Sequence, residues 1–419
     1  MKPVLSERAI TLKRNISPVR QIMSFANPEY FKQLGLDPAE VISFAGGWVN
    51  HAAPVELQES YQEIFNDKNL LHKSGGYSPT LGMPECKEAL VKYEQHIYDL
   101  NGLTPKQIAI GASSTQLTFD LMKVLLNPGD KIALLDPSYC NFPTQIIAAL
   151  HVTIVRFPVV DVATWKYNAD EKIKQFADFI RTEKPKVVLL VSPDNPTSQV
   201  LSDDFVQAAL KAVEEIGSFL VMDFAYKDIV FLEKIPQYYS LAPSDHFLSI
   251  HSNSKWSRSL GRRLGWIEAS EDIIESFESV QGSSILCPDT LHQMALTNYI
   301  HKAIEKNTFK PYIQQVREQY KKAAQETVTA ITEQLGLPCF TPQGGLYTCM
   351  KVGMDGAQFV EGMLKETGVL FIPGWGFGRT LQNAIRISYG PLVNDHPKIH
   401  QGMKKAREFL DRNSHLQSQ

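Results

Sequence analysis

The sequence has few cysteines, and they are not grouped. Its 419 residues include only Cys86, Cys140, Cys287, Cys339 and Cys349, with no C-x-x-C pair. An odd, scattered set of this kind is not typical of a disulfide framework and does not have the spacing of a zinc site. We therefore expect neither disulfides nor a bound metal.

Long apolar runs are also missing. The longest, such as Val187–Val191, are far shorter than the roughly 20 residues that a membrane-spanning helix needs. The first residues, MKPVLSERAITLKR, are charged and have no apolar stretch typical of a secretory signal. These absences predict a cytoplasmic protein that does not bind membranes.

The charges of the chain nearly cancel. Lys and Arg total 42 and Asp and Glu total 45, which gives a formal net charge of −3. Nucleic-acid-binding proteins usually carry a basic excess, so we expect no nucleic-acid partner. With 43% hydrophobic and 21% charged residues, the composition is that of a globular protein, long enough for more than one domain.

Strand and helix patterns alternate between residues 107 and 270. The strand patterns are apolar throughout, as in strands that are covered on both faces, and this alternation predicts an α/β fold with a mostly parallel sheet. The predicted strands are Ile108–Ile110, Lys131–Leu135, Val152–Phe157, Lys186–Val191, Phe219–Met222 and Phe247–His251, and the helices between them are Gln116–Leu126, Asp170–Thr182 and Asp203–Ile216.

The region after residue 287 has a different organisation. Two long helical patterns, 288–305 and 309–335, are followed by short strands and loops rich in Gly and Pro. We predict a large domain over 51–308 and a smaller α/β domain formed by 1–50 and 309–419.

Candidate ligand-binding residues follow the first two predicted strands, where parallel sheets bind ligands. Gly111–Gln116 opens a helix with small residues whose backbone amides suit a phosphate, although Ser and Thr are also ordinary N-caps. Tyr139 follows the second strand. Its ring could stack on a flat ligand or could simply belong to the core.

Three later strands end in an amide, a carboxylate and a lysine. Asn195 is held extended by Pro196, or belongs to a common turn. Asp223 needs a cation if it is buried, unless it caps a helix. Lys255, followed by Arg263, is nucleophilic if burial lowers its pKa, whereas a surface lysine is the alternative. Together these groups suit a phosphorylated pyridine aldehyde.

The lysine lies in a motif of the form S-x-x-K-x5-G-x-R-x-G, which resembles that of the class I/II, aspartate-aminotransferase-like, pyridoxal-phosphate (PLP) enzymes of fold type I. This resemblance implies a large domain with a seven-stranded, mostly parallel sheet, a smaller α/β domain and PLP as the cofactor. The matching residues are Ser252, Lys255, Gly261, Arg263 and Gly265, with Asn195-Pro196-Thr197, Asp223-x-x-Tyr226, Arg386-Ile387-Ser388, Tyr77–Gly82 and Pro342–Gly345 as further matches in order.

Within the family, the sequence is most similar to the kynurenine/2-aminoadipate aminotransferase branch, through Ser17-x-x-Arg20 and Ile42–Gly47. It departs from the family where Ser198 replaces the usual glycine after Asn-Pro-Thr. It also departs at Trp48–His51, which replaces a stretch that lines the substrate mouth in relatives, and at Trp256, which is bulkier than the usual residue after the lysine.

The resemblance implies a role for each cofactor-binding residue. Lys255 binds PLP covalently and then acts as the general acid/base, and we expect Arg258 and Arg263 to lower its pKa. Asp223 pairs with the pyridine nitrogen, so that the ring acts as an electron sink. The remaining contacts are Tyr226 and Asn195 to the ring oxygen, Tyr139 to the ring face, and Ser114, Thr115, Ser252 and Arg263 to the phosphate.

The resemblance also implies which residues contact the substrate. Arg386 matches the arginine that binds the substrate α-carboxylate, and the backbone at Gly47 and the amide of Asn195 lie beside it. Arg20 is a candidate for a distal carboxylate, or part of a surface ion pair. The resemblance also implies a homodimer in which Tyr77 reaches the neighbouring subunit's cofactor phosphate.

The expected activity is transfer of an amino group from an L-amino acid to a 2-oxo acid such as 2-oxoglutarate, by a ping-pong mechanism. Elimination, decarboxylation or oxidation of an amino acid is the alternative, because the same residues hold the cofactor for all of them. A PLP-binding regulator is not expected, since roughly 15 residues before Ile16 do not suffice for a DNA-binding domain. A large or aromatic substrate is suggested by Trp48, Phe44, Tyr139, Phe142 and Tyr347, which could equally be core residues.

Overall fold

The computed structural model describes residues 3–14 and 27–413. Arg20 and the Ser17-x-x-Arg20 motif lie outside the described residues, so their predicted contacts stay predictions. Within the described ranges, no helix is both long enough and apolar enough to cross a membrane.

The described residues form strands that are mostly short and buried. They are β1 (Ile42–Ser43), β2 (Ile108–Gly111), β3 (Lys131–Asp136), β4 (Thr153–Pro158), β5 (Val160–Asp161), β6 (Lys166–Tyr167), β7 (Val187–Val191), β8 (Phe219–Asp223), β9 (Phe247–Ser252), β10 (Gly265–Glu268), β11 (Tyr347–Lys351), β12 (Val369–Leu370), β13 (Ile372–Pro373) and β14 (Ala384–Ser388).

The helices vary from one and a half to six turns. They are α1 (Glu7–Arg14), α2 (Pro28–Gln33), α3 (Val55–Asn66), α4 (Lys68–Ser74), α5 (Pro84–Tyr98), α6 (Ser113–Leu125), α7 (Asn141–Leu150), α8 (Ile173–Glu183), α9 (Asp203–Glu215), α10 (Glu271–Ser284), α11 (Thr290–Glu305), α12 (Phe309–Ala330), α13 (Gly356–Thr367) and α14 (His396–Arg412).

A seven-stranded sheet with the order β2-β10-β9-β8-β7-β3-β4 forms the centre of the large α/β unit. Only β10 is antiparallel to its neighbours, so the predicted α/β fold with a mostly parallel sheet is confirmed. All six strands predicted from apolar runs are present, whereas β10 was missed because its apolar run consists only of Trp266 and Ile267. Helices α6 and α10 cover one face of the sheet, and α5, α9 and α11 cover the other.

A separate apolar core joins the segment Phe31–Val49 to the C-terminal part of the chain. There β1 pairs in parallel with β12, and β14 lies between β11 and β13 in an antiparallel sheet. Tyr226 and Ile229, just after β8, also belong to this core. The end of β8 therefore lies where the two parts of the fold meet, which positions the candidate site. The exact domain bounds given above stay a prediction.

Candidate active site

A cavity of about 200 Å³ lies at the carboxyl ends of the central strands. As the general rule for parallel sheets predicts, side chains that follow separate strands meet there. Of the ten residues predicted to bind the cofactor, nine line this cavity, namely Ser114, Thr115, Tyr139, Asn195, Asp223, Tyr226, Ser252, Lys255 and Arg263.

One end of the cavity is suited to a phosphate. Helix α6 begins there at Ser113, and its first backbone N–H groups and positive dipole end favour an anion. Arg263 donates from Nη2 to Ser113 Oγ at 2.6 Å and from Nη1 to the Leu260 carbonyl at 2.8 Å. A Cβ added at Gly265 would lie 2.5 Å from the His251 carbonyl oxygen and 3.0 Å from the Ser114 nitrogen. Only glycine therefore lets β10 run this close to the helix start.

The carboxylate of Asp223, the last residue of β8, also lines the cavity. It is buried, and burial raises its pKa to about 6, although the Ala225 N–H, which donates to Oδ1 at 2.9 Å, and the charge of Lys255 oppose this rise. Within the described part of the chain, no cationic side chain lies within the 4 Å of an ion pair. The carboxylate is therefore available to a cation in the cavity.

Lys255 follows β9 and lies above the Tyr226 ring, with its Nζ 5.5 Å from the ring centroid and donating to the Gly47 carbonyl. Its pKa is lowered to about 7, first by burial and then by the positive charges of Arg386 and Arg263. The expectation that Arg258 would contribute is wrong, because its guanidinium points away and donates to Asn50 Oδ1 at 3.1 Å.

Arg386 comes from β14, in the other part of the fold, and is buried. Its Nη1 donates to Asn195 Oδ1 at 3.0 Å and its Nη2 to the Ala45 carbonyl at 2.7 Å. Its Nε has no hydrogen-bond partner among the described residues, although it is buried. The unpaired N–H is the kind of group that a ligand is expected to satisfy. Asn195 thus holds the arginine as well as facing the cavity.

Two tyrosines complete the walls. Tyr139 contacts Phe142 edge-to-face and accepts a hydrogen bond from Asn141 Nδ2 at 2.7 Å. The hydroxyl of Tyr226 lies 2.7 Å from that of Tyr347, a buried residue at the start of β11.

Two aromatic residues that suggested a large substrate do not line the cavity, and His51 has a structural environment. Phe44 is in the core, stacked on Phe371, and Trp48 is 41% exposed outside the cavity lining. His51 is buried between the Tyr320 hydroxyl and the Trp256 carbonyl, at 2.9 and 3.0 Å, and burial lowers its pKa to about 4.

Tyr77 does not line the cavity of its own chain either, because it is 87% exposed. This exposure leaves its predicted contact with a neighbouring subunit as a prediction.

Sequence reasoning assigned no individual role to three further lining residues, Ser113, Ser254 and Gln145. Ser113 is the first residue of α6 and lies within Gly111–Gln116, the segment expected to suit a phosphate, so its role could have been predicted. Gln145 carries no such signal, because it lies one helical turn inside α7 and faces the site only once the helix is placed.

Comparison with known proteins identifies the class. A family model described as aminotransferase class I and II matches residues 46–396. An aspartate aminotransferase from Pyrococcus abyssi is 24% identical over 398 residues, 93% of this chain and 97% of that protein. Aromatic-amino-acid aminotransferase 2 from Thermococcus litoralis is 25% identical over 403 residues, 93% of this chain and 97% of that protein.

Solved structures agree on the fold. The aspartate aminotransferase from Thermus thermophilus, determined with maleate, matches with a TM-score of 0.83 at 21% identity, covering 98% of this chain and all of that one. The chain therefore belongs to the class I and II aminotransferase family, and its fold is that of the fold type I PLP enzymes. It is a PLP-dependent amino-acid aminotransferase. The resemblance to the kynurenine/2-aminoadipate branch stays a prediction.

The residues of the cavity fit this cofactor. One end offers a helix N-terminus, hydroxyls and an arginine for a phosphate, in a space that a Cβ at Gly265 would fill. The cavity also offers the buried carboxylate of Asp223, which forms no ion pair among the described residues, for a protonated ring nitrogen. Lys255, whose pKa is lowered, lines the same cavity. The donors and acceptors thus match the functional groups of a phosphorylated, nitrogen-containing aldehyde.

Proposed function

We propose that this protein transfers the amino group of an L-amino acid with a large or aromatic side chain to a 2-oxo acid such as 2-oxoglutarate, by a ping-pong mechanism. The observation that carries the proposal is that a lysine with a lowered pKa, a buried carboxylate and a phosphate-binding helix end share one cavity, beside a buried arginine. One relative named above is an aromatic-amino-acid aminotransferase, which supports this range of donors, whereas the other is an aspartate aminotransferase.

The cofactor residues act by binding and orientation. When bound, PLP supplies an aldehyde for the amino group and a ring that delocalises the negative charge developing at the substrate Cα. Asp223 keeps the ring nitrogen protonated, because a carboxylate without its own cation favours a proton on its partner. Tyr226 and Asn195 donate to the ring oxygen, and Tyr139 covers the ring face. Ser114, Thr115, Ser252 and Arg263 hold the phosphate, which fixes the ring against rotation.

Lys255 moves the proton. Its amine, with a pKa lowered to about 7, has a substantial neutral fraction at neutral pH and so can both attack an aldehyde and accept a proton. With the cofactor and substrate bound, the Lys255 Nζ would accept the proton from the substrate Cα and would donate it again on the same face of the site. Its placement above the Tyr226 ring confines it to one face of the site.

Arg386 binds the α-carboxylate of both the amino-acid and the 2-oxo-acid substrates. Because Asn195 and the Ala45 carbonyl already hold the guanidinium, it loses little conformational entropy when a carboxylate binds. Its Nε, which has no partner among the described residues, adds a hydrogen-bond donor. Gly47 lets the backbone approach the same carboxylate. Because one arginine serves both substrates, they must occupy the site in turn, as a ping-pong mechanism requires.

The substrate side chain meets aromatic and amide groups. Tyr139, Phe142 and Gln145 line the cavity beside the proposed ring position. Two aromatic rings give a large apolar or aromatic side chain more contact area than a small one, and this supports the proposed donor range. Arg20 stays the predicted partner of a distal carboxylate.

We further propose that the protein is a homodimer, and the cytoplasm stays its predicted compartment. Tyr77 is 87% exposed, which is unusual for a tyrosine and is consistent with a role at a second subunit's site. Val55 and Phe65, on α3, are also exposed, at 67% and 53%. In such a dimer, Tyr77 would reach the cofactor phosphate of the neighbouring subunit.

The proposal is tested by the visible absorption of the holoenzyme mixed with single L-amino acids, without an acceptor. We expect aromatic donors to convert the bound cofactor from its aldehyde to its amine form within one turnover. 2-Oxoglutarate should then reverse the change, and Lys255→Ala should abolish it. Arg258→Gln is the matched control, since this cation lies close in sequence but points away from the site.

Other outcomes would contradict the proposal. Release of ammonia or carbon dioxide while the cofactor keeps its aldehyde form would indicate elimination or decarboxylation. Consumption of oxygen would indicate oxidation. Conversion by aspartate but by no aromatic donor would retain transamination and refute the proposed substrate class.

A further inference from the structure

Tyr347, one of the aromatic residues that suggested a large substrate, does not line the cavity but lies between groups proposed to bind the cofactor and groups proposed to bind the substrate. Its side chain is 1% exposed, and its hydroxyl lies 2.7 Å from the Tyr226 hydroxyl. The Arg386 guanidinium carbon lies 4.4 Å from its ring centroid. On the remaining side its hydroxyl abuts Gly47, where an added Cβ would come within 2.6 Å. Tyr347 thus contacts Tyr226, Arg386 and the Gly47 backbone at once.

We propose that Tyr347 is a positioning residue that strengthens Tyr226 as a hydrogen-bond donor to the cofactor ring oxygen. This inference rests on the proposed function, because it assumes that Tyr226 makes that contact. A tyrosine hydroxyl has one proton to donate. If Tyr226 gives its proton to the ring oxygen, the 2.7 Å contact requires Tyr347 to donate to Tyr226. A hydroxyl that accepts a hydrogen bond is polarised and becomes a better donor, most of all where water is excluded.

The surroundings of Tyr347 hold it in this orientation. Its backbone N–H donates to Ser198 Oγ at 3.0 Å, and its strand, β11, pairs with β14 on the other side. Ser198 has a left-handed φ of 56°, a conformation that costs a residue with a Cβ some strain. The hydrogen bond that the serine hydroxyl accepts from Tyr347 offsets that strain, and a glycine could not make this bond.

The same ring also supports Arg386 without using any of its donors. The face of the Tyr347 ring attracts the guanidinium electrostatically, and this contact uses none of the guanidinium N–H groups. The Nη groups are taken by Asn195 and Ala45, whereas Nε is unpaired. Through its hydroxyl and its ring, Tyr347 therefore acts on the two proposed halves of the site by separate contacts.

The test is a pH titration of the visible absorbance of the bound cofactor in the holoenzyme. The titration follows the proton on the Lys255 nitrogen that is bound to the cofactor, next to the ring oxygen. A weaker hydrogen bond to the ring oxygen leaves more negative charge on that oxygen, and this charge raises the pKa of the nitrogen. We therefore expect the titration midpoint to rise by about 0.5 to 1 pH unit in Tyr347→Phe. Tyr226→Phe should raise it further, and Tyr347→Phe in the Tyr226→Phe background should add nothing.

Tyr239→Phe is the matched control. It removes the hydroxyl of another buried tyrosine, one that donates to the Ser192 carbonyl at 3.2 Å and contacts neither Tyr226 nor Ser198 among the described residues. Its midpoint should equal that of the unmodified protein. If Tyr347→Phe does not accumulate as holoenzyme, Ser198→Ala, which removes the acceptor of the Tyr347 N–H together with its bond to Tyr389, should give a smaller shift in the same direction.

The outcomes separate this inference from the proposed function. A rise in Tyr226→Phe with no rise in Tyr347→Phe or Ser198→Ala would overturn the role of Tyr347 alone. An unmoved midpoint in Tyr226→Phe would refute the proposed role of Tyr226, and that of Tyr347 with it. Additive shifts in the double variant would also overturn the inference, since Tyr347 would then act by another route.

Discussion

At the scale of single residues, the chemistry of the Lys255 amine is set by neighbours that are distant in sequence. Burial and the charges of Arg386 and Arg263 lower its pKa to about 7, and only Asp223 opposes them. Sequence proximity pointed to Arg258 instead, which faces Asn50. A list of cations near a lysine in sequence cannot tell which of them share its cavity. The identity of the lysine could therefore be predicted from its motif, and so could the effects of burial and Arg263 on its pKa, whereas the contribution of Arg386 could not.

This pKa predicts how fast the cofactor-free protein binds PLP covalently at different pH values. Only the neutral amine attacks an aldehyde, and the neutral fraction rises as pH rises through the pKa. The rate should therefore increase with pH, with a midpoint near 7. Removing a neighbouring cation makes the charged amine less unfavourable, so Arg386→Gln should move the midpoint up by about one pH unit. Stopped-flow absorbance measures the rate.

Arg258→Gln is the control for charge removal as such. Its midpoint should stay near 7, because Arg258 does not contribute to the pKa of Lys255. Equal midpoints in the two arginine variants would contradict the assignment of Arg386 as the dominant charged neighbour.

At the scale of elements, β10 is the strand of the central sheet that the sequence patterns did not predict. Its residues Gly265–Glu268 contain an apolar run of only two, which gives no strand signal, yet they join β2 to β9 and complete the sheet. The strands with longer apolar runs could all be predicted, because burial on both faces removes polar residues from them. The cavity could be predicted only in outline. Which side chains point inwards, as Gln145 does and Trp48 does not, depends on how helices and loops pack.

The two glycines beside β10 give a prediction for this element. Both belong to the lysine motif, but a Cβ at Gly265 would meet the His251 carbonyl and the Ser114 nitrogen, whereas one at Gly261 would meet nothing within 4 Å. Gly265→Ala should displace the start of α6 from β10 and weaken cofactor binding by about tenfold or more. Gly261→Ala should bind as the unmodified protein does. Fluorescence titration with PLP compares them, and equal affinities would show that the close approach at Gly265 is not needed.

At the scale of the whole molecule, the site draws on both parts of the fold and, in the proposed dimer, on a second chain. Arg386 belongs to β14, Lys255 follows β9 in the central sheet, and they meet only where the two cores adjoin. Tyr77 is predicted to act in the other subunit. Its 87% exposure means that a monomer would leave it facing water. The same site should then be assembled from three parts of the sequence in two chains.

Subunit mixing tests this arrangement. Lys255→Ala inactivates its own site but keeps Tyr77, whereas Tyr77→Ala keeps Lys255 but lacks the tyrosine for its neighbour. In a mixed dimer, one site has neither residue and the other has both. Refolding or exchanging equal amounts of the two variants should restore about a quarter of the unmodified activity at limiting PLP, since half of the dimers are mixed and each has one complete site. A mixture no more active than the mean of its two parts would place Tyr77 outside the neighbouring site.

The mass of the protein in solution tests the dimer itself. A mass equal to that of the 47.1 kDa chain, rather than twice that value, would rule out the dimer.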